Sequence, residues 1–478
     1  MIISSQGEAC NPNDDIKALD LNGTNSLRDR LRKIQASTGS GEEALLAGAE
    51  IELGVRQALQ DFRDYLAQSP NSRAAKALPS EEELEYSYNP ETQECEITRK
   101  DGEDIELDLS QSGLQGELLL PPQLMVAKLN CYSNKLTALS ELPASLTKLE
   151  CGFNKLTALP ELPASLTKLG CRSNKLTALP ELPASLTLLS CGYNELTALP
   201  ELPASLTELD CQYNKLTLPE LPPSLTKLEC EGNQLTALPV LPDSLTRLGC
   251  YFNRLTALPE LPARLTKLEC ADNQLTTLPE IPASLTELSC GENQLTALPV
   301  LPDSLTELGC GFNQLTALPE LPARLTKLYC HGNKLTVLPK LPDSLTELYF
   351  ANNYLTTLRK LPDNLTMFVC YNNQLTTLPE LPDSLTKLDC HGNHITTLPE
   401  LTASLNELKC SQNKLITLPE LPANLTELDC DSNQLTTLPV LPDSLTRLDC
   451  SENPSLANDP ATQAALQAIR DRGGNVKS

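Results

Sequence analysis

The residues best suited to chemistry in this 478-residue chain are its 18 cysteines and 3 histidines. A thiol can be a nucleophile, a metal ligand or half of a disulfide, and each use demands its own spacing and surroundings. Sixteen of the cysteines obey a single interval. From Cys131 they recur every 20 residues as far as Cys450, with one 19-residue step between Cys211 and Cys230 and with Phe350 standing in once. His331, His391 and His394 lie in neither a C-x-x-C nor an H-E-x-x-H context, and no glycine-rich phosphate loop appears, so no metal and no cofactor are expected. His391 and His394 read as solvated side chains rather than a ligand pair.

The cysteine interval belongs to a repeat. The copy at 146 reads L-x-x-L-x-C-x-x-N-x-L, with Leu146, Leu149, Cys151, Leu156, Leu159 and Leu162 as its apolar set, which is the leucine-rich repeat pattern. Alternation of Leu149 and Cys151 with Lys148, Glu150 and Gly152 predicts a short strand with one buried face. The return path Leu159-Pro160-Glu161-Leu162-Pro163 cannot be helical, because proline lacks an amide donor and biases the residue before it away from the helix. It should run extended and polyproline-like. One turn cannot bury its own leucines, so neighbours must stack. The expected fold is an α/β solenoid, a curved leucine-rich repeat array with a parallel concave β-sheet, an extended polyproline-like convex side and helical caps at both termini. At roughly 4.8 Å per strand, 17 copies would span on the order of 80 Å.

Within that frame most of the conspicuous residues become structural. Asn154, Asn174, Asn353 and their equivalents follow each strand, where an amide that both donates and accepts can satisfy backbone groups as the chain turns. Cys151, Cys270 and the rest of the column behave as small buried hydrophobes in reduced form. Cys10 and Cys95 lie outside it.

Composition narrows the partners. With 62 acidic against 37 basic residues, the net charge is -25 and the pI about 4.6, which disfavours nucleic acid and anionic lipid surfaces. No run approaches the roughly 20 apolar residues of a membrane span. The first residues, MIISSQGEACNPNDD, lack the basic and apolar segments of a cleaved secretory signal, so the sequons at Asn22, Asn364 and Asn424 should stay unmodified.

Five segments are expected. Residues 1–23 form a disordered N-terminal segment that could serve as a secretion signal. Residues 24–70 form a helical hairpin cap, its helices at Asn25–Ala36 and Ser40–Gln68, the second carrying Val55, Leu59, Phe62 and Leu66 on one face. An acidic β-hairpin and linker spans 71–104, repeats span 105–456, and a helical cap spans 457–478, opened by Asp459-Pro460 and stopped by Gly473.

The 20-residue copy ending L-T-x-L-P-x-L-P-x-S, the preceding helical pair and the acidic balance resemble the leucine-rich repeat effectors of bacterial pathogens, the YopM and IpaH/SspH/SlrP groups. The resemblance covers roughly residues 25–455, although Cys stands where those families usually carry another small apolar residue. It implies delivery by a non-classical secretion system, type III in those groups, into the host cytoplasm, with the bacterial cytoplasm as the other compartment. It also implies a non-enzymatic scaffold that holds host signalling proteins on its concave face. The ligase branch of these groups uses a catalytic cysteine in a C-x-D motif on a helical domain after the repeats. Only 25 residues follow Asn453 here. Cys270-Ala271-Asp272 matches C-x-D but falls in the interior column. The alternative reading is therefore the substrate-recognition part of a ubiquitin ligase lacking its catalytic domain.

Binding information must lie where the copies differ. The stretch 327–371 deviates most, with Lys327, Tyr329, His331, Tyr349, Met367, Val369 and Tyr371 at outward positions and Phe350 and Phe368 in place of the usual column residues. Aromatic residues and Met are enriched in interface cores, which makes these seven the expected protein-binding residues. Tyr132, Phe153, Arg172, Tyr193 and Tyr213 form a second cluster. The expected partners are host proteins, with homo-oligomerisation left open.

Overall fold

A computed structural model describes residues 42–69, 74, 76–89, 94–121, 123–456 and 460–478. The chain divides into two compact units, one ending at Asn233 and the other beginning at Gln234. The segment 1–23, the helix expected over 25–36, its partner's Ser40 cap, Cys10 and Asp459 lie outside the described residues.

In the first unit, helix α1 (Glu42–Ala67) buries Ile51, Val55, Leu59, Phe62 and Leu66 at three- and four-residue spacing. This is the stripe that a helix packed on one side requires. An antiparallel hairpin of strands β1 (Leu84–Asn89) and β2 (Glu94–Arg99) follows. The Arg56 guanidinium of α1 lies 3.7 Å from the centre of the Tyr86 ring and pairs with Glu81 at 2.7 Å.

A parallel ladder then begins at Ile105–Asp108, the degenerate first repeat, whose register slips once between Ile105 and Glu106, and runs in regular register from Val126–Asn130 through Lys148–Glu150 to Lys227–Glu229. The second unit holds eleven such strands, from Arg247–Gly249 to Arg447–Asp449, each paired with the next. In most copies a central Leu and a following Cys point inward and are buried, as at Leu149 and Cys151, with Phe368 in one Leu place and Phe350 in one Cys place. The return segments carry neither helix nor strand through most of their length. Each closes with a tight turn in which, for example, the Leu166 amide donates to Pro163 O at 3.0 Å.

Three side-chain ladders tie one turn to the next. Asn154 donates to Cys131 O and Cys151 O at 3.0 and 3.1 Å and accepts from Leu136 N at 2.9 Å, so one amide spans two neighbouring turns. Asn174 and Asn353 repeat this pattern. The other two ladders escaped the sequence reading. Thr167 Oγ1 donates to Thr147 O at 2.9 Å, and Ser165 Oγ to Leu146 O at 2.8 Å, each one copy back. Asn364 and Asn424 take the serine's place and donate to Asp343 O and Ala403 O.

At the far end, helix α2 (Pro460–Asp471) buries Thr462, Leu466 and Ile469, and Gly473 leaves it at φ 83°. That is the left-handed geometry glycine adopts without a Cβ penalty. The chain then returns as a strand, Asn475–Lys477, that pairs in parallel with Arg447–Asp449 and caps its open edge. This last strand was not anticipated, since three residues are too short a run to carry a periodic signal.

Candidate protein-interaction surface

Strand positions on either side of the buried Leu and Cys point away from the core, and the two residues after the Cys complete the outward row. The second of these has positive φ in every copy, from Ser133 through Glu452, within 50–64°. Gly, Asn, Asp and Ser suit that geometry, but Phe153, Tyr193, Tyr213, Phe252 and Phe312 also adopt it, and a bulky ring there costs about 1–2 kcal/mol. Burial does not repay the cost at four of them: Phe153, Tyr193, Phe252 and Phe312 are 42–56% exposed.

In the second unit the rings of five consecutive copies meet. Phe312 and His331 lie 4.8 Å apart edge to face, His331 and Tyr349 4.7 Å, and Tyr349 and Tyr371 6.0 Å. Tyr371 then stacks on His391 at 4.4 Å. The Tyr349 and Tyr371 hydroxyls are 2.8 Å apart, and the Tyr329 hydroxyl donates to Glu347. Gly311 is what allows the His331 imidazole to lie flat, because a Cβ at 311 would come within 2.6 Å of that ring. His391 Nδ1 is held 2.7 Å from Asp389 Oδ1, whereas His394 Nδ1 faces its neighbour's carbonyl. Burial lowers the His331 pKa and raises those of Tyr329 and Tyr349, so all three are neutral at pH 7.

Of the seven residues proposed from sequence, Tyr329, His331, Tyr349 and Tyr371 sit in or beside this row. Lys327 pairs with Glu307 at 2.9 Å. Met367, half-buried, interrupts a line of charges by standing in register between Glu347 and Lys387. Val369 has to be corrected. It is 3% exposed, lying in register beside Tyr349 and two residues before Tyr371, the two rings whose hydroxyls meet. It supports the rings and offers no surface of its own. Phe312 and His391, which the sequence reading left out, extend the row at both ends. Beneath it Phe350 and Phe368 pack at 5.7 Å, both wholly buried.

The second cluster is also continuous. Tyr132 and Phe153 approach to 5.0 Å, the Arg172 guanidinium lies 5.6 Å from Phe153 and 5.5 Å from Tyr193, and Tyr193 stacks on Tyr213 at 4.6 Å.

The described cysteines are all buried, and none is joined in a disulfide. Burial pushes the Cys131 thiol up to about 12 and those of Cys151 and Cys270 well above the usual thiol range. That setting is the reverse of what a nucleophilic cysteine needs, and Cys270 of the Cys270-Ala271-Asp272 triplet shares it. Among the described residues one acidic group, Asp429, Asp431 and Asp449, brings carboxylate oxygens within 4.8 Å of one another, with Lys477 paired to Asp449 at 2.9 Å.

The chain matches no protein-family model and no curated protein sequence. Solved structures are similar to it. YopM from Yersinia enterocolitica is 38% identical over 73% of this chain and 87% of its own, with a TM-score of 0.64. YopM from Yersinia pestis is 34% identical over the same shares, at a TM-score of 0.49. A leucine-rich repeat protein of Leptospira interrogans is 26% identical over 78% of this chain and 95% of its own, at 0.52.

Proposed function

Because the chain belongs to the YopM-like family of bacterial leucine-rich repeat effectors, we propose that it is a non-enzymatic scaffold, exported by a non-classical route into a host cell, that captures host signalling proteins on its strand face. The observation that carries this reading is the row Phe312–His331–Tyr349–Tyr371–His391. Five neighbouring copies spend their outward positions on rings that add little to the core, and half-exposed tyrosines braced by one another lose little entropy on binding. The surrounding charges are largely paired along the sheet, as Lys327 is with Glu307 and Lys387 with Glu407. The rings are therefore the unspent part of that surface.

Replacing Tyr329, Tyr349 and Tyr371 together by Ala should leave the fold intact and reduce capture of host-lysate proteins at least about tenfold, as loss of hot-spot residues does. Quantitative mass spectrometry of parallel pull-downs reads this out, and unchanged capture would reject the patch. Non-enzymatic action is tested separately. Incubation with ubiquitin-charged conjugating enzyme should leave the thioester as stable as in buffer, and discharge that disappears in Cys270→Ala would instead favour the ligase reading.

A further inference from the structure

The first unit carries a second surface whose charge runs against that of the whole molecule. The three copies around Cys131, Cys151 and Cys171 place Lys128, Lys148 and Lys168 in register on adjacent strands. Past the rings, Lys155 N donates to Leu136 O and Lys175 N to Leu156 O, both at 2.8 Å. These bonds set Lys135, Lys155 and Lys175 into a second row, one copy apart. Between the rows along the chain lies the Tyr132–Phe153–Arg172–Tyr193 stack. Against these cations the strand residues preceding each Cys supply a single carboxylate, Glu150, since Asn130 and Gly170 hold the other two places. Lys135, Lys155, Lys168 and Lys175 have no carboxylate within 4.0 Å among the described residues, whereas Lys128 and Lys148 do.

We propose that this surface is a docking site for an extended acidic polypeptide segment, separate from the aromatic row of the second unit. The ladder itself contains an example of the fit. Its first strand, Ile105–Asp108, brings Glu106 to 2.6 Å from Lys128 and Asp108 to 3.0 Å from the Asn130 amide. A segment laid across the following copies would continue that pairing into the lysines that lack a partner. Ring geometry favours carboxylates over nucleobases. Tyr193 and Tyr213 cover one another's faces at 4.6 Å, Tyr132 and Phe153 meet at 5.0 Å tilted by 51°, and Arg172 lies against both Phe153 and Tyr193, which leaves little open face for a base to stack on. Ring edges, which bear positive partial charge, and tyrosine hydroxyls suit carboxylates. A net charge of -25 also opposes a long phosphate polymer far more than a short acidic stretch. At about 4.8 Å per strand, the three lysine-bearing copies span about 10 Å, or roughly three extended residues at about 3.3 Å each.

The test is fluorescence anisotropy with the full chain and a labelled peptide of about eight residues alternating Glu and Gly. An oligothymidylate of equal net charge runs in parallel. The expected result is saturable peptide binding that weakens as salt rises, falls about tenfold or more in Lys135→Glu/Lys155→Glu/Lys175→Glu and falls several-fold in Arg172→Ala. These are exposed or half-exposed positions, and circular dichroism verifies that the variants fold. Tyr329→Ala/Tyr349→Ala/Tyr371→Ala should bind the peptide as the unaltered chain does, which keeps this inference separable from the proposed host-protein surface. Peptide binding unaffected by the triple charge reversal, no peptide binding at all, or tighter binding of the oligothymidylate would each overturn it.

Discussion

Asn293 illustrates how much of this molecule rests on single side chains. Nearly buried, it donates to Cys270 O, Cys290 O and Gly291 O at 2.9–3.1 Å and accepts from Leu275 N. Asn293→Ala would strip the Leu275 amide of its acceptor, whereas Cys270 O, Cys290 O and Gly291 O each keep a second donor in Asn273, Asn313 and the Asp272 amide. We expect a loss of about 1–3 kcal/mol, read as a lower urea midpoint. Glu231 makes the opposite case. It is buried, its Oε2 has no hydrogen-bond partner, and burial together with Glu229 raises its pKa to about 9. The folded state thus keeps a proton that the unfolded chain releases near pH 4.3. Stability from this group is full below that value, declines as pH rises, and is lost once pH passes about 9. Glu231→Gln should flatten the fall in melting temperature across that window and raise it at pH 9; an unchanged pH slope would show the carboxyl to be ionised in the fold.

At the scale of elements, the two ends of the repeats are closed by different means. The hairpin and α1 precede the first strand, whereas the last repeat is closed by α2 and then by Asn475–Lys477, which occupies the hydrogen-bonding edge of Arg447–Asp449. An uncovered parallel strand is a template for another chain. Deleting residues 473–478 should therefore leave most of the ladder folded but produce self-association, visible as concentration-dependent mass by light scattering; a strictly monomeric truncation would show that α2 alone protects the edge. The helix stripe, the hairpin alternation and the Gly473 stop could all be read from residue spacing. The terminal strand could not, because its pairing is set by where α2 returns the chain.

Across the whole molecule, the strict 20-residue interval was enough to determine the solenoid, the buried leucines, the cysteine column and the asparagine ladder. Each copy can satisfy its apolar and polar groups only by stacking on the next, so period implies architecture. The surface followed no such rule. Which rings touch, that Val369 lies beneath them, and that Phe312 and His391 complete the row were decided by register, since residues 20 apart in sequence become neighbours about 4.8 Å apart in space. The lysine rows of the first unit were equally hidden, because a net charge of -25 averages over positions that only the folded ladder separates into faces. Periodic burial is a local property written into every copy, whereas a binding surface is a relation between copies, and that relation exists only once the chain has stacked.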